Sequence, residues 1–212
     1  MSYQLSDSQV GAAFAERPLN VDGKEYGFEV VGIGLLTVAS GRVAASDPFV
    51  DPAPPAFTRA VPPGNYPVQL AIARLPDGDE RVAFARLVFQ ADGHIERWEM
   101  AVVAGQEVAM LQEEGYFGYG VDAGTGCFMD VEAGRHLSSS MDIDPDYFEE
   151  LLDMMDATYK HTRSWLVFTP SSASPCNIAC FSSGWGDGLY PSFFGLDRDG
   201  QAVALVTDFL VF

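Results

Sequence analysis

Asp-Gly dipeptides set the frame of this chain. Asp22-Gly23, Asp77-Gly78, Asp92-Gly93, Asp187-Gly188 and Asp199-Gly200 recur between runs of alternating or apolar residues. Glycine takes a positive φ without steric cost and aspartate tolerates one, which suits tight reversals between antiparallel strands. The intervening runs have the length and composition of strands. Residues 66–74 (YPVQLAIAR), 80–90 (ERVAFARLVFQ) and 94–103 (HIERWEMAVV) are rich in Val, Ile and aromatics. Three such runs on two short turns predict an antiparallel meander. Near the end, PSFFGLD and QAVALVTDFLVF flank DRDG, predicting a further hairpin and a C-terminus buried in a sheet. The apolar run 30–39 (VVGIGLLTVA) reads as a buried strand broken at its glycines.

One segment changes period from two to 3.6. Between 145 and 160, Phe148, Leu151, Leu152, Met155 and Tyr159 recur at helical spacing, with Asp144 placed to cap and Pro145 to occupy the first turn. Acids crowd its start while Lys160, His161 and Arg163 follow its end, as the helix dipole favours. A shorter helix is expected over 131–137 and a weaker one over 6–16. Six prolines between 47 and 64 forbid a regular element there, so that stretch reads as an ordered loop. The expected fold is α+β, mostly antiparallel β-sheet in meander and hairpins with one or two packed helices. Its core takes Phe148, Leu151, Leu152 and Met155 from the helix, and Val68, Leu70, Ile72, Val82, Phe84, Val88, Trp98, Met100 and Val203 from the strands. Residues 1–212 read as a single domain, with 1–24 a peripheral N-terminal segment.

Charge limits function more than fold. Lys+Arg 12 against Asp+Glu 30 leaves a net charge of −18, and Lys24 and Lys160 are the only lysines. A nucleic-acid binder needs clustered cations to displace phosphate counterions, and an anionic membrane asks the same, so neither is an expected partner. The polar, acidic first nineteen residues have neither the basic start nor the apolar stretch of a signal peptide. Three cysteines at irregular spacing, Cys127, Cys176 and Cys180, argue for free thiols and a reducing compartment, and the expected location is cytoplasmic. If 176–182 is a strand, Cys176 and Cys180 share a face but stand about 13 Å apart, too far for a disulfide.

The motifs that carry common chemistries are missing or incomplete. Asp142-x-Asp144-x-Asp146 opens like a calcium loop, but Tyr147 holds the position that needs glycine and Asp153 the position that needs a bidentate glutamate. Helix capping explains the same aspartates. His94, His136 and His161 are scattered, and Cys176-x-x-x-Cys180 lacks a second ligand pair, so no metal or other cofactor is called for. Neither a phosphate-binding loop nor a Gly-x-Ser-x-Gly elbow is present. Two glycine-rich stretches remain, 118–130 (GYGVDAGTGCFMD) and 181–195 (FSSGWGDGLYPSFFG). Their Asp122, Cys127, Asp130 and Asp187, with Thr125, Ser182 and Ser183, have the composition of a site. Converging carboxylates share a proton or activate a water, and Cys127 would be a nucleophile with His136 or His161 in reach. The competing reading makes the glycines turns, the aspartates turn caps, and Cys127 a small buried hydrophobe.

The same stretches, Gly120–Asp130 and Ser182–Phe209, together with Val61–Phe89, resemble the bacterial domain-of-unknown-function family 4241 from about residue 25 onward. The resemblance implies a compact domain and brings no activity with it. Function therefore rests on charge. The leading expectation is an acidic binding protein that inhibits a basic protein partner, such as a bacterial toxin or nuclease, in the manner of an immunity protein. Its contact residues would be Asp142, Asp144, Asp146, Glu149, Glu150, Asp153 and Asp156, with Glu113 and Glu114. The alternative is a hydrolase or metal-dependent enzyme built on Asp122, Cys127, Asp130 and Asp187. A third, structural role would need an exposed apolar patch at Phe148 or at Phe193 and Phe194.

Overall fold

The computed structural model describes residues 2–144 and 146–212. Seven strands form the larger sheet, all neighbours antiparallel, in the order β1 (Leu19–Val21), β2 (Lys24–Val38), β4 (Gly64–Arg74), β5 (Glu80–Val88), β13 (Ala202–Asp208), β12 (Ser192–Leu196), β6 (Arg97–Met100). A second sheet runs β3 (Val43–Ser46), β8 (Thr125–Asp130), β10 (Ile178–Ser182), β9 (Trp165–Phe168). A short ribbon pairs β7 (Tyr119–Val121) with β11 (Gly188–Tyr190). Among the described residues three α-helices complete the fold, α1 (Asp7–Phe14), α2 (Val131–Ile143) and α3 (Tyr147–Asp156).

Three of the Asp-Gly pairs make hairpins. Asp22 and Gly23, with φ of 52° and 77°, form the two-residue turn between β1 and β2. Gly78 closes the β4–β5 turn by donating its N–H to the Leu75 carbonyl, and Gly200 closes β12–β13 onto Asp197. The other two pairs act differently. At Asp92-Gly93 the chain does turn, Gly93 donating its N–H to the Gln90 carbonyl, but the 80–90 and 94–103 runs do not pair as a meander would have them. Instead the C-terminal hairpin lies between them: β5 pairs with β13, and β6 forms the far edge against β12. Near Asp187-Gly188 the left-handed residues are Gly184 and Gly186, and the following β11 joins β7.

The 30–39 run lies in β2, whose register slips between Gly32 and Gly34, a bulge where Gly34 takes φ 143°. Burial there is partial: Leu36 and Val38 are buried while Leu35 is exposed. The helices also redistribute. The 131–137 helix extends to Ile143 and is longer than α3, which spans 147–156 within the expected 145–160. Asp144 closes the end of α2, its carboxylate accepting the Asp146 N–H, and Pro145 lies outside the described residues. Lys160, His161 and Arg163 sit beyond α3 in a turn where His161 has φ 57°. The helix over 6–16 forms as α1, capped by Ser6.

The layers follow from strand alternation. In β8 and β10, Phe128, Ala179 and Phe181 enter the main core between the two sheets. Cys127, Met129, Ile178 and Cys180 face the other way, onto Ala133 and Leu137 of α2 and Leu151 and Met155 of α3. The second sheet is thus covered on both faces, and β8 is buried along its whole length. Of the expected core, Val68, Leu70, Ile72, Val82, Phe84 and Val203 are buried, whereas Val88, Trp98, Met100, Phe148 and Leu152 are half-buried. Phe193 and Phe194 are buried as well, so no exposed patch forms there. Among the described residues no helix is long and apolar enough to cross a membrane.

Candidate functional site

The two glycine-rich stretches fold against each other. Ser183 donates its N–H to the Gly124 carbonyl at 3.1 Å, and Gly186 turns back to donate to Ser183. The Ser183 and Tyr190 hydroxyls then both donate to the Gly186 carbonyl at 2.9 Å. The resulting loop pair is positioned by Asp47, which is fully buried at the end of β3. One Asp47 carboxylate oxygen accepts the N–H groups of Asp122 (3.0 Å) and Ala123 (2.7 Å), and the other accepts Phe49 N–H. A buried carboxylate costs little when backbone donors satisfy it in this way.

The four candidate catalytic residues take separate places. Asp130 is fully buried as the N-cap of α2, where its carboxylate accepts the Glu132 N–H and both the N–H and the hydroxyl of Ser40. Cys127 is fully buried, its thiol 3.7 Å from the Ser46 hydroxyl and pushed up to about 12 by burial, the reverse of an activated nucleophile. His136 contacts Ser171 and His161 lies 3.8 Å from Glu80, so the histidines are engaged elsewhere. Asp122 and Asp187 are exposed on the paired loops. Among the described residues no three His, Cys, Asp or Glu side chains cluster as metal ligands. Cys127 does face Cys180 directly across the β8–β10 ladder, a pairing that spacing along the chain does not reveal.

The acidic segment has a more uniform geometry. Asp142, Asp144, Asp146, Glu149, Glu150, Asp153 and Asp156 are all exposed, and among the described residues none pairs with a Lys, Arg or His. Leu151 and Met155 anchor α3 beneath them, so the carboxylates stand on a fixed support. Ile143 and Met154 lie among them as exposed apolar side chains, Ile143 at 81%. Glu113 and Glu114 are exposed in another part of the chain, before β7.

Residues 36–207 match the family model described as "Protein of unknown function (DUF4241)". The chain belongs to DUF4241. Both glycine-rich stretches, Asp47 and the acidic helices fall inside the DUF4241 match, while α1 and β1 precede it. Neither a curated protein nor a solved structure matches the chain.

Sequence reasoning gave Glu80 and Asp208 no role and read Arg163 only as a cation after the helix, yet this DUF4241 domain buries all three. Arg163, 1% exposed, donates through Nη1 to the Glu80 carboxylate, and Thr162 donates its hydroxyl to the Glu80 carbonyl, tying the turn after α3 to the start of β5. Burial pushes the Glu80 carboxyl up, but Arg163, His161 and Arg74 outweigh it and hold the group below its ordinary value. Asp208 at the end of β13 accepts the Tyr3 hydroxyl and Leu210 N–H, yet burial prevails and its carboxyl is raised. Only the position of Asp47 before a proline hinted at any of these, as a turn-forming Asx residue.

Proposed function

We propose that this DUF4241 chain is an acidic binding protein, an immunity-type inhibitor whose target is a basic protein such as a toxin or nuclease. The observation that carries the reading is the set of seven exposed carboxylates from Asp142 to Asp156, none ion-paired among the described residues, interleaved with exposed Ile143 and Met154. A surface of this kind steers a cationic partner by field, raising association rates by about 10- to 10³-fold, and offers apolar contacts once the partner arrives. The carboxylates pay no intramolecular ion-pair loss when they bind. The hydrolase reading has less support, because Asp130 is committed to a helix cap, Cys127 is inert, and Asp122 and Asp187 are solvated. A reducing, cytoplasmic setting fits three buried free thiols and belongs to the same proposal.

The test is affinity capture from the host with the wild-type chain beside a variant in which the seven acids become Asn or Gln. The expected outcome is a stoichiometric basic protein held by wild type, with a dissociation constant that weakens steeply with salt and at least about 100-fold in the variant. Equal capture by both chains, or no basic protein on either, would overturn the reading.

A further inference from the structure

We propose that the cavity between the proline-rich loop and the glycine-rich ribbon is a binding site for a small molecule with a planar apolar body and one ammonium group. The cavity holds about 390 Å³, within the range of small-molecule pockets. Its apolar wall comes from Val50, Pro55, Phe57, Tyr119 and Tyr190, contributed by three separate parts of the chain. This is where three otherwise unexplained sequence features meet: the proline-rich loop at 50–57, Gly118 to Gly120, and Tyr190 to Ser192. The proline-rich loop is held there by Phe57, which bridges Val103.

Charge selects the ligand class. The lining contains one ionisable carboxylate, Asp51, and no Lys, Arg or His. Ser46 donates its hydroxyl to the Asp51 carbonyl and the Ser192 hydroxyl shares a hydrogen bond with that of Thr207, so both are already engaged. Among the described residues the Asp51 carboxylate accepts no hydrogen bond and makes no ion pair. The Gln106 carbonyl oxygen accepts the Val103 N–H, which leaves its NH₂ as a free donor. An anion would find no cation there and would meet a chain at −18, whereas an ammonium finds Asp51 in a lining that also carries Phe57, Tyr119 and Tyr190. The cavity lining takes no residue from the acidic helices, although α2 packs on the same loop at Pro52, and its occupancy does not depend on the proposed protein partner.

Three probes of matched shape separate charge from shape: 2-phenylethylammonium, 2-phenylethanol and 3-phenylpropionate, each titrated to millimolar concentration against the full chain and followed by backbone amide shifts. The expected result is a set of shifts confined to residues 50–57, 101–106, 118–120 and 190–192. The ammonium should bind about threefold more tightly than the alcohol, the value of an exposed ion pair, and the carboxylate weakest. Two variants locate the effect. Asp51→Asn, at an exposed position, should erase the preference for ammonium over alcohol. Gly120→Leu should abolish binding of both, because Gly120 lines the cavity and a Cβ there would meet no atom within 4 Å, so the chain can take a side chain at this wall. The proposal is overturned if no probe shifts these amides, if the carboxylate binds as well as the ammonium, if shifts spread over the acidic helices instead, or if binding survives a folded Gly120→Leu.

Discussion

Two buried carboxyls respond to acid in opposite directions, and the reason lies in what each touches. Glu80 is held below its ordinary value of 4.5 by cations, so its stabilising share is present above that pH and is lost as pH falls through the lowered folded value. Asp208 has no cation beside it and is raised above 3.8, so the native state takes up its proton first, and its contribution declines as pH rises between the unfolded and folded values. Substitution at Glu80 removes the buried partner of Arg163, whose Nε already lacks an acceptor, and leaves it only the half-exposed Glu29 carboxylate at 3.6 Å. Because Glu29 remains and the Gln oxygen still accepts from Arg163, Glu80→Gln should cost about 1–3 kcal/mol at neutral pH. In denaturant melts across the acid range, the gap between wild type and Glu80→Gln should narrow below 4.5, while Asp208→Asn should lose ground to wild type as pH falls. A Glu80→Gln gap that stays constant with pH would mean that the carboxylate's charge is not what Arg163 requires.

At the scale of elements, α2 shows how packing overrides propensity. Gly134 sits mid-helix, where alanine would ordinarily gain about 1 kcal/mol. Here an added Cβ would meet the Pro52 carbonyl and the Met129 sulfur, each at 2.9 Å, because the helix lies directly on the proline-rich loop and β8. Thermal unfolding of Gly134→Ala should show a loss of about 1–3 kcal/mol, the cost of overpacking, in place of a gain. The contact also explains what the sequence made legible. Local signals were reliable: the turns at Asp22-Gly23, Asp77-Gly78 and Asp199-Gly200, the helix over 6–16, and the alternation of Leu70, Ile72, Val82 and Phe84 each depend on near neighbours. Pairing across long separations was not readable. Nothing in residues 89–96 announces that β12 and β13 enter between β5 and β6, and nothing near 131 says that Asp130 would be clasped by Ser40, ninety residues earlier. The candidate site divides along the same line, since the acidic helices are contiguous in sequence whereas Asp47, the ribbon and the cavity assemble from distant segments.

For the whole molecule the net charge of −18 sets stability against binding. Along α3, Asp146 and Glu150, Glu149 and Asp153, and Asp153 and Asp156 repel at helical spacing, at about 0.2–0.5 kcal/mol per pair. Glu149 and Glu150 gain something back from the helix N-terminus, but Asp153 and Asp156 lie in the last turn, where the dipole disfavours them. No cation of the described chain offsets either one. If these two acids served only solubility, elsewhere on the surface would hold them at lower cost, so their position makes a measurable distinction. The Asp153→Asn, Asp156→Asn double variant should melt at a higher temperature than wild type in low salt, by an amount corresponding to about 1 kcal/mol, and the gain should shrink as salt screens the wild-type repulsion. The same variant should bind the basic partner more weakly, with a lower association rate and a shallower salt dependence. Higher stability with undiminished association would leave these acids as a cost without a function and would move the binding surface elsewhere on the molecule.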